Sequence, residues 1–168
     1  PIGPDYLPGH AHADTLSFEL SVFGQRVVVN GGTSRYVVGP ERLRERGTAA
    51  HSTVQIAGQD SSEVWGGFRV ARRAYPFDLQ VQTESGRLRV ACSHDGYKRL
   101  IGAPIHRRTW EMEAHSLQIE DTVSGGTHEA LARYILHPNV HITAAGVNTW
   151  QLTLPTGQSL RVTVAAGH

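Results

Sequence analysis

The chain has 168 residues and a net charge of +1, so charge gives no argument for binding nucleic acid or a membrane surface. No apolar stretch is long enough to span a bilayer, and the single cysteine, Cys92, excludes an internal disulfide framework. The length suffices for one core, and the sequence starts abruptly at Pro1. We therefore expect one domain, residues 1–168, that is a fragment of a longer polypeptide.

The first feature along the chain is a histidine-rich stretch at residues 10–14, which reads His-Ala-His-Ala-Asp. In an extended chain every second side chain points the same way, so His10, His12 and Asp14 are predicted to share one face. Two imidazoles and a carboxylate on one face need a metal, a substrate or a hydrogen-bond network to satisfy them. A surface strand that is merely rich in histidine is the simpler alternative.

The residues that follow show the short-range patterns of a β protein. Alternating apolar side chains predict a strand over 15–22 and its return over 26–29, whereas residues 31–50 predict a long loop with a helical turn at 40–46. Further short strands are predicted near 52–57, 68–74, 77–83, 87–94, 105–112, 115–121, 128–137, 140–144, 147–154 and 158–164. This pattern is typical of an all-β fold, either a β-sandwich or a β-barrel.

Several short motifs, in this order and spacing, resemble one known family. They occupy residues 8–14, 16–19, 31–33, 48–54, 58–60, 94–97, 106–108 and 137–138. Together they resemble the C-terminal β-sandwich domain of the heparinase II/III-like polysaccharide lyases over nearly the whole chain. Strand spacing and this resemblance together predict an all-β, two-sheet antiparallel β-sandwich. Members of that family cleave acidic, uronate-containing polysaccharides such as glycosaminoglycans by β-elimination. The resemblance therefore implies an acidic polysaccharide as the partner and a periplasmic or secreted location for the parent enzyme.

The resemblance also implies roles for particular residues. In the family an N-terminal α-helical toroid domain supplies most of the acid and base groups, and the cleft lies between toroid and sandwich. The sandwich contributes one histidine to that cleft, which corresponds to His10, and holds a structural metal, often zinc. The metal ligands correspond to His12, position 30 and His51, but position 30 is Asn where the family typically has Asp. No toroid is present in these 168 residues.

The chemistry of the side chains bears on both predictions. Imidazole suits zinc, and structural zinc sites take four donors, so His12 and His51 are candidate ligands. Asn30 is a neutral and poor ligand, and Asp14, two residues from His12, can take its place. Imidazole exchanges protons near neutral pH, which suits His10 for neutralising a uronate or carrying a proton.

Arginines of the 31–50 loop are candidates for gripping substrate carboxylates or sulfates, because a guanidinium binds such groups bidentately. Arg46, which lies nearest to His51 in sequence, is the first choice, and Arg35 is the second. The alternative interpretation is a basic loop that is exposed to solvent and binds no substrate.

Two other classes of function compete with the lyase. The first is a non-catalytic carbohydrate-binding or scaffolding module, which the missing toroid allows. The second is a metal-dependent oxygenase of the double-stranded β-helix type, because His12, Asp14 and His51 formally make a two-histidine, one-carboxylate triad.

Overall fold

A computed structural model describes residues 6–165, and strands take up 44% and helices 8% of them. The strands in chain order are β1 (Leu20–Val22), β2 (Gln25–Val28), β3 (Val54–Ile56), β4 (Val64–Trp65), β5 (Arg69–Val70), β6 (Pro76–Glu84), β7 (Arg87–His94), β8 (Ile105–Glu113), β9 (Ser116–Ser124), β10 (Ala130–Ala132), β11 (His141–Gly146), β12 (Thr149–Thr153) and β13 (Ser159–Thr163). One α-helix, α1 (Pro40–Arg46), and two short 3-10 helices, Pro8–His10 and Thr48–Ala50, complete the elements. The all-β class, built from several antiparallel sheets as in a β-sandwich domain, is confirmed.

The described residues form two compact units. The first unit comprises residues 6–17 and 31–134, and the second comprises residues 18–30 and 135–165. None of the helices within residues 6–165 is long and apolar enough to cross a membrane.

The second unit consists of two small antiparallel sheets with a shared core. One sheet is the β1–β2 hairpin, and the other has the order β11–β12–β13. Apolar side chains of the two sheets and of residues directly beside them are buried together: Val27, Val28, Val140, Leu152 and Leu154. Burial of these aliphatic side chains is the main favourable term for this unit.

The first unit is built on the four-stranded antiparallel meander β6–β7–β8–β9. Its register pairs His94 with His106 and His106 with Val123, which places these three side chains on one face. Val54 and Ile56 of β3 pack in a buried cluster with Tyr97, whose hydroxyl donates to the Val54 carbonyl over 2.9 Å. Two two-stranded sheets, β3–β10 and β4–β5, complete the unit.

Most predicted strands and the helical turn at 40–46 occur where they were expected, but the first predicted strand is wrong at its beginning. It was predicted from residue 15, whereas β1 begins at Leu20. Leu16 has a φ of +62°, outside the extended region, and the Ser17 amide donates to the Asp14 carbonyl over 2.8 Å. A turn therefore follows Asp14, and the alternation of 15–22 becomes a strand only in its second half.

Candidate metal centre

The histidine-rich stretch runs as an irregular segment after the 3-10 helix Pro8–His10. Its two alanines face inward, with Ala11 9% and Ala13 0% exposed, because their small side chains allow close packing of the backbone. The Ala13 amide donates to the Arg46 carbonyl, and Thr48 Oγ1 donates to the Ala13 carbonyl. These bonds fix the segment against the end of α1.

His12, Asp14 and His51 come together although 39 residues of chain separate the two histidines. His12 Nδ1 lies 3.2 Å from His51 Nε2, and one donor atom from each of the three residues lies within 4.8 Å of the others. His51 is 1% exposed, while His12 and Asp14 are half-buried. The cluster thus has a buried floor and an accessible side.

Burial decides the protonation of this cluster. It lowers the pKa of His51 to about 4 and, together with the neighbouring His51, lowers the pKa of His12. Burial also raises the pKa of Asp14, against the opposing effect of His12. Both imidazoles are therefore neutral at pH 7, which leaves a nitrogen lone pair for a ligand or a hydrogen bond.

The donor set fits a divalent transition metal. Two imidazole nitrogens bound tetrahedrally to one zinc ion, each at about 2.0–2.1 Å, lie about 3.3 Å apart, close to the separation of His12 and His51. Neutral imidazoles with one carboxylate are a donor set typical of zinc. The same separation also suits a direct hydrogen bond between the rings, so the geometry permits a metal without requiring one.

His10 lies outside this cluster, contrary to the prediction that it shares a face with His12 and Asp14. The 3-10 helix that ends at His10 breaks the extended geometry on which that prediction depended. The His10 side chain is exposed, and its ring meets the exposed Tyr36 ring edge-on with centroids 5.8 Å apart. Tyr36 is thus the aromatic neighbour of the candidate cleft histidine, and no sequence motif had singled it out.

Arg46 has a different role from the substrate contact that was predicted. It is 0% exposed, and its guanidinium donates to the carbonyls of Pro8, Ala11 and Gly67. A buried guanidinium occupied by three carbonyls does not reach a polysaccharide. Arg35, in contrast, is exposed and lies 3.3 Å from Glu41, so substrate binding by Arg35 stays a prediction.

Asn30 belongs to the second unit, whereas His12, Asp14 and His51 all belong to the first. Its part in metal binding stays a prediction. Asp14, the alternative third ligand, does lie in the cluster.

A second histidine pair, buried in the meander, was not predicted to form. His94 Nε2 lies 3.1 Å from His106 Nδ1, and His106 Nε2 lies 2.7 Å from Asp121 Oδ1. Arg108 donates to both oxygens of Asp121 over 2.7 and 2.9 Å. The sequence offered one indication, since alternation along β8 places His106 and Arg108 on the same face, but the pairing needs the strand register.

The fold and this cluster together define an all-β domain with a histidine–carboxylate site. The chain matches the family model described as heparinase II/III-like, C-terminal, over residues 1–168, and it therefore belongs to the heparinase II/III-like family as a C-terminal domain. This family associates the domain with polysaccharide lyases. Comparisons with curated proteins and with solved structures returned no match.

Proposed function

We propose that the chain is the β-sandwich part of a polysaccharide lyase that cleaves acidic, uronate-containing polysaccharides by β-elimination. The observation that carries this proposal is the placement of His10. Its imidazole is exposed, two residues before the half-buried His12 of the metal-type cluster, in a chain that belongs to a lyase-associated family. An accessible imidazole on a segment that is held by hydrogen bonds to the protein is suited to act on a bound sugar.

β-Elimination at a uronate removes the proton at C5, next to the carboxylate, and expels the glycosidic oxygen at C4. The carboxylate must be neutralised to make that proton acidic, a base must take it, and an acid must protonate the leaving oxygen. The exposed His10 is suited either to neutralise the carboxylate or to carry one of the protons. The remaining groups belong, on this proposal, to an N-terminal toroid of the same enzyme.

A metal ion at His12, His51 and Asp14 would serve structure. It would join residues 12–14 to residue 51 and so fix the segment that carries His10, since a ligand bound only by the folded state stabilises it. We propose zinc, because two imidazoles and a carboxylate suit it. The residues of this chain then have separate tasks, with the cluster holding the segment and His10 facing the substrate.

Product release tests the lyase proposal. Unsaturated uronate products, followed by ultraviolet absorbance, should form from at least one of a panel of acidic polysaccharides when the chain is joined to its upstream toroid. The His10→Ala variant should lower the rate about a hundredfold or more, in the range expected for loss of a proton-transfer group. His115→Ala, which changes an exposed histidine in the β8–β9 turn, should leave the rate unchanged.

Full activity in the His10→Ala enzyme would remove the proposed role of His10. Retained polysaccharide binding with no cleavage, in the joined protein, would instead favour a non-catalytic carbohydrate-binding module. The isolated 168 residues should cleave poorly, because catalysis needs base and acid held against one sugar.

Calorimetric titration tests the metal separately from catalysis. The wild-type chain should bind one zinc ion, His51→Ala should abolish binding, and His10→Ala should bind as the wild type does. The oxygenase alternative predicts iron with 2-oxoglutarate turnover instead. It is disfavoured by topology, because sheets of sequential neighbours such as β6–β7–β8–β9 are meanders, unlike the interleaved strands of a double-stranded β-helix.

A further inference from the structure

The three largest fully buried side chains among the described residues are all arginines: Arg42, Arg46 and Arg108, with exposed fractions of 2%, 0% and 0%. Arginine is almost never fully buried unless its charge and its five N–H donors are satisfied. In this protein the donors of all three guanidiniums reach main-chain carbonyls. Many of those carbonyls belong to the two segments that carry the candidate metal ligands and His10.

Arg46 and Arg42 hold the segment that contains His10 and His12. Arg46 Nε donates to the Ala11 carbonyl over 2.9 Å, and its Nη2 donates to the Pro8 carbonyl over 3.4 Å. Arg42 Nη2 donates to the Gly9 carbonyl over 3.0 Å. The carbonyls on both sides of His10 are thus bound from α1.

A single glycine carbonyl fixes these two arginines relative to each other. The Gly67 carbonyl accepts from Arg42 Nε over 2.7 Å and from Arg46 Nη1 over 2.6 Å. Gly67 has a φ of +75°, and a Cβ there would meet Val38 at 2.9 Å, so glycine is required where the turn passes beneath the arginines. The two guanidiniums therefore both donate to the Gly67 carbonyl, and both donate to carbonyls of the segment that contains His10.

Arg108 connects the two ligand-bearing segments. Its Nη1 donates to the Leu16 carbonyl over 2.9 Å and to the Ser52 carbonyl over 2.6 Å. Leu16 follows Asp14 by two residues, and Ser52 directly follows His51. One nitrogen atom thus bridges the segment of Asp14 to the segment of His51.

The arginines in α1 are costly if their only task is to fill space. Within residues 6–165 neither Arg42 nor Arg46 has a carboxylate in ion-pair distance, and burial and the proximity of Arg42 lower the pKa of Arg46. Two buried like charges oppose folding, and apolar side chains of similar volume often replace buried charges without loss. A rigid fork of donors does what an apolar side chain cannot do, which is to fix several carbonyls in one geometry.

We propose that Arg42, Arg46 and Arg108 are positioning residues that hold the segments of His10, His12, Asp14 and His51 in the geometry that the metal centre needs. This proposal rests on the proposed function of that cluster. It assigns the arginines to the protein's own backbone and not to the substrate. Lysine in their place keeps the charge but contacts fewer carbonyls.

Zinc calorimetry and the absorption spectrum of the cobalt-substituted protein test the proposal with Arg46→Lys and Arg108→Lys. Each should weaken zinc binding about tenfold or more, as outer groups around a metal site typically do when changed, and should alter the cobalt spectrum. Ile56→Val is the matched control, because it loosens the buried core of the same unit at a position outside both segments. It should lower stability while zinc affinity stays within twofold of the wild type.

Zinc affinity and cobalt spectra equal to the wild type in both lysine variants, with binding abolished in His51→Ala, would overturn the positioning role and leave the metal centre standing. If the wild-type chain binds neither zinc nor cobalt, the proposed metal centre is refuted. The positioning role of the arginines is then tested on the metal-free protein. The ring NMR signals of His12 and His51 and the exchange protection of the Ala13 amide should then change in the lysine variants but not in Ile56→Val. Unchanged signals would refute the role.

A lysine variant that does not fold is replaced by Arg42→Lys, which keeps the contacts of Arg46 and Arg108 and loses donors to Gly9, Gly67 or Arg35. Arg42→Lys should also weaken zinc binding, but by a smaller factor. Zinc binding within twofold of the wild type in that variant counts against the proposal.

Discussion

Two histidine pairs in the first unit differ in how completely they are satisfied. The ring nitrogens of His12 and His51 lie 3.2 Å apart, those of His94 and His106 lie 3.1 Å apart, and each pair has an aspartate beside it. Residue types and distances are nearly the same. The difference lies in what the remaining nitrogens and oxygens contact.

The meander pair is a closed network with a fixed direction. The Gly96 amide donates to His94 Nδ1, so His94 carries its proton on Nε2 and donates it to His106 Nδ1. His106 in turn donates from Nε2 to Asp121, which also accepts from Arg108. Burial alone would raise the pKa of Asp121, but these hydrogen bonds outweigh it and lower that pKa to about 2.

The pair at the candidate metal centre is open by comparison. Within residues 6–165 no arginine pairs with Asp14 as Arg108 pairs with Asp121, and burial raises the pKa of Asp14. His12 and Asp14 are half-buried and face an accessible side, whereas His94 and His106 are both 0% exposed. A closed network stabilises a fold, and an open cluster of the same residues is available for a ligand.

Removing the aspartate carboxylate should destabilise the protein far more at the closed pair, His94 and His106, than at the open pair, His12 and His51. Asp121→Asn leaves the buried Arg108 without its counter-ion, and we expect the free energy of unfolding to fall by about 3–5 kcal/mol. Urea unfolding at pH 7 measures this. Asp78→Asn, which removes the exposed partner of Arg107, is the control and should change stability little. Equal losses in both variants would show that the closed network contributes nothing special.

Displacing the Gly96 amide, which is the first donor of the closed network, should have the next largest effect on stability. A Cβ on Gly96 would collide with the Ser61 carbonyl and lie 2.6 Å from Ala74 Cβ, so Gly96→Ala must displace the amide that donates to His94. We expect a loss of about 2–3 kcal/mol in the same unfolding assay. Gly31→Ala, whose Cβ meets nothing within 4 Å, should be nearly neutral.

Acid should weaken the protein mainly through its buried neutral histidines. Burial lowers the pKa of His94 to about 3 from its ordinary 6.5. Between these values the unfolded chain binds a proton that the folded chain does not, so stability falls as the pH falls from 6.5 to 4. We expect His94→Gln to reduce this slope by about 1.4 kcal/mol per pH unit, the value for one proton.

Unfolding of this variant at pH 6.5, 5.5 and 4.5 measures the change in slope. His115→Gln, at an exposed position in the β8–β9 turn, should keep the slope of the wild type. An unchanged slope in His94→Gln would show that His94 is already protonated in the folded protein.

The smallest effect on stability is expected at the open cluster. Because burial raises the pKa of Asp14, its charge is unfavourable in the metal-free fold. Asp14→Asn should therefore change the metal-free free energy of unfolding by about 1 kcal/mol or less, while it weakens zinc binding about tenfold or more. A large loss of metal-free stability would mean that this pair, too, is a structural network.

Local patterns in the sequence determined much of the fold. Alternation and turn residues predicted β6, β7, β8 and β9 within a few residues, because period-two alternation and turn chemistry act over neighbours in the chain. A helical turn at 40–46 was also predicted, and α1 lies there. The pattern failed at residues 15–19, where a local turn overrides the alternation.

Candidate ligands also followed from the sequence, since spacing placed Asp14 with His12 and the family resemblance added His51. The structure brings these three residues together. Tertiary structure decided what no local pattern contains. The pairing of His94 with His106 depends on the register of β7 with β8, and the burial of Arg46 depends on carbonyls at residues 8, 11 and 67. Whether a charged or titratable side chain serves the fold or a ligand is set by groups distant in sequence, because only packing brings its partners within hydrogen-bond reach.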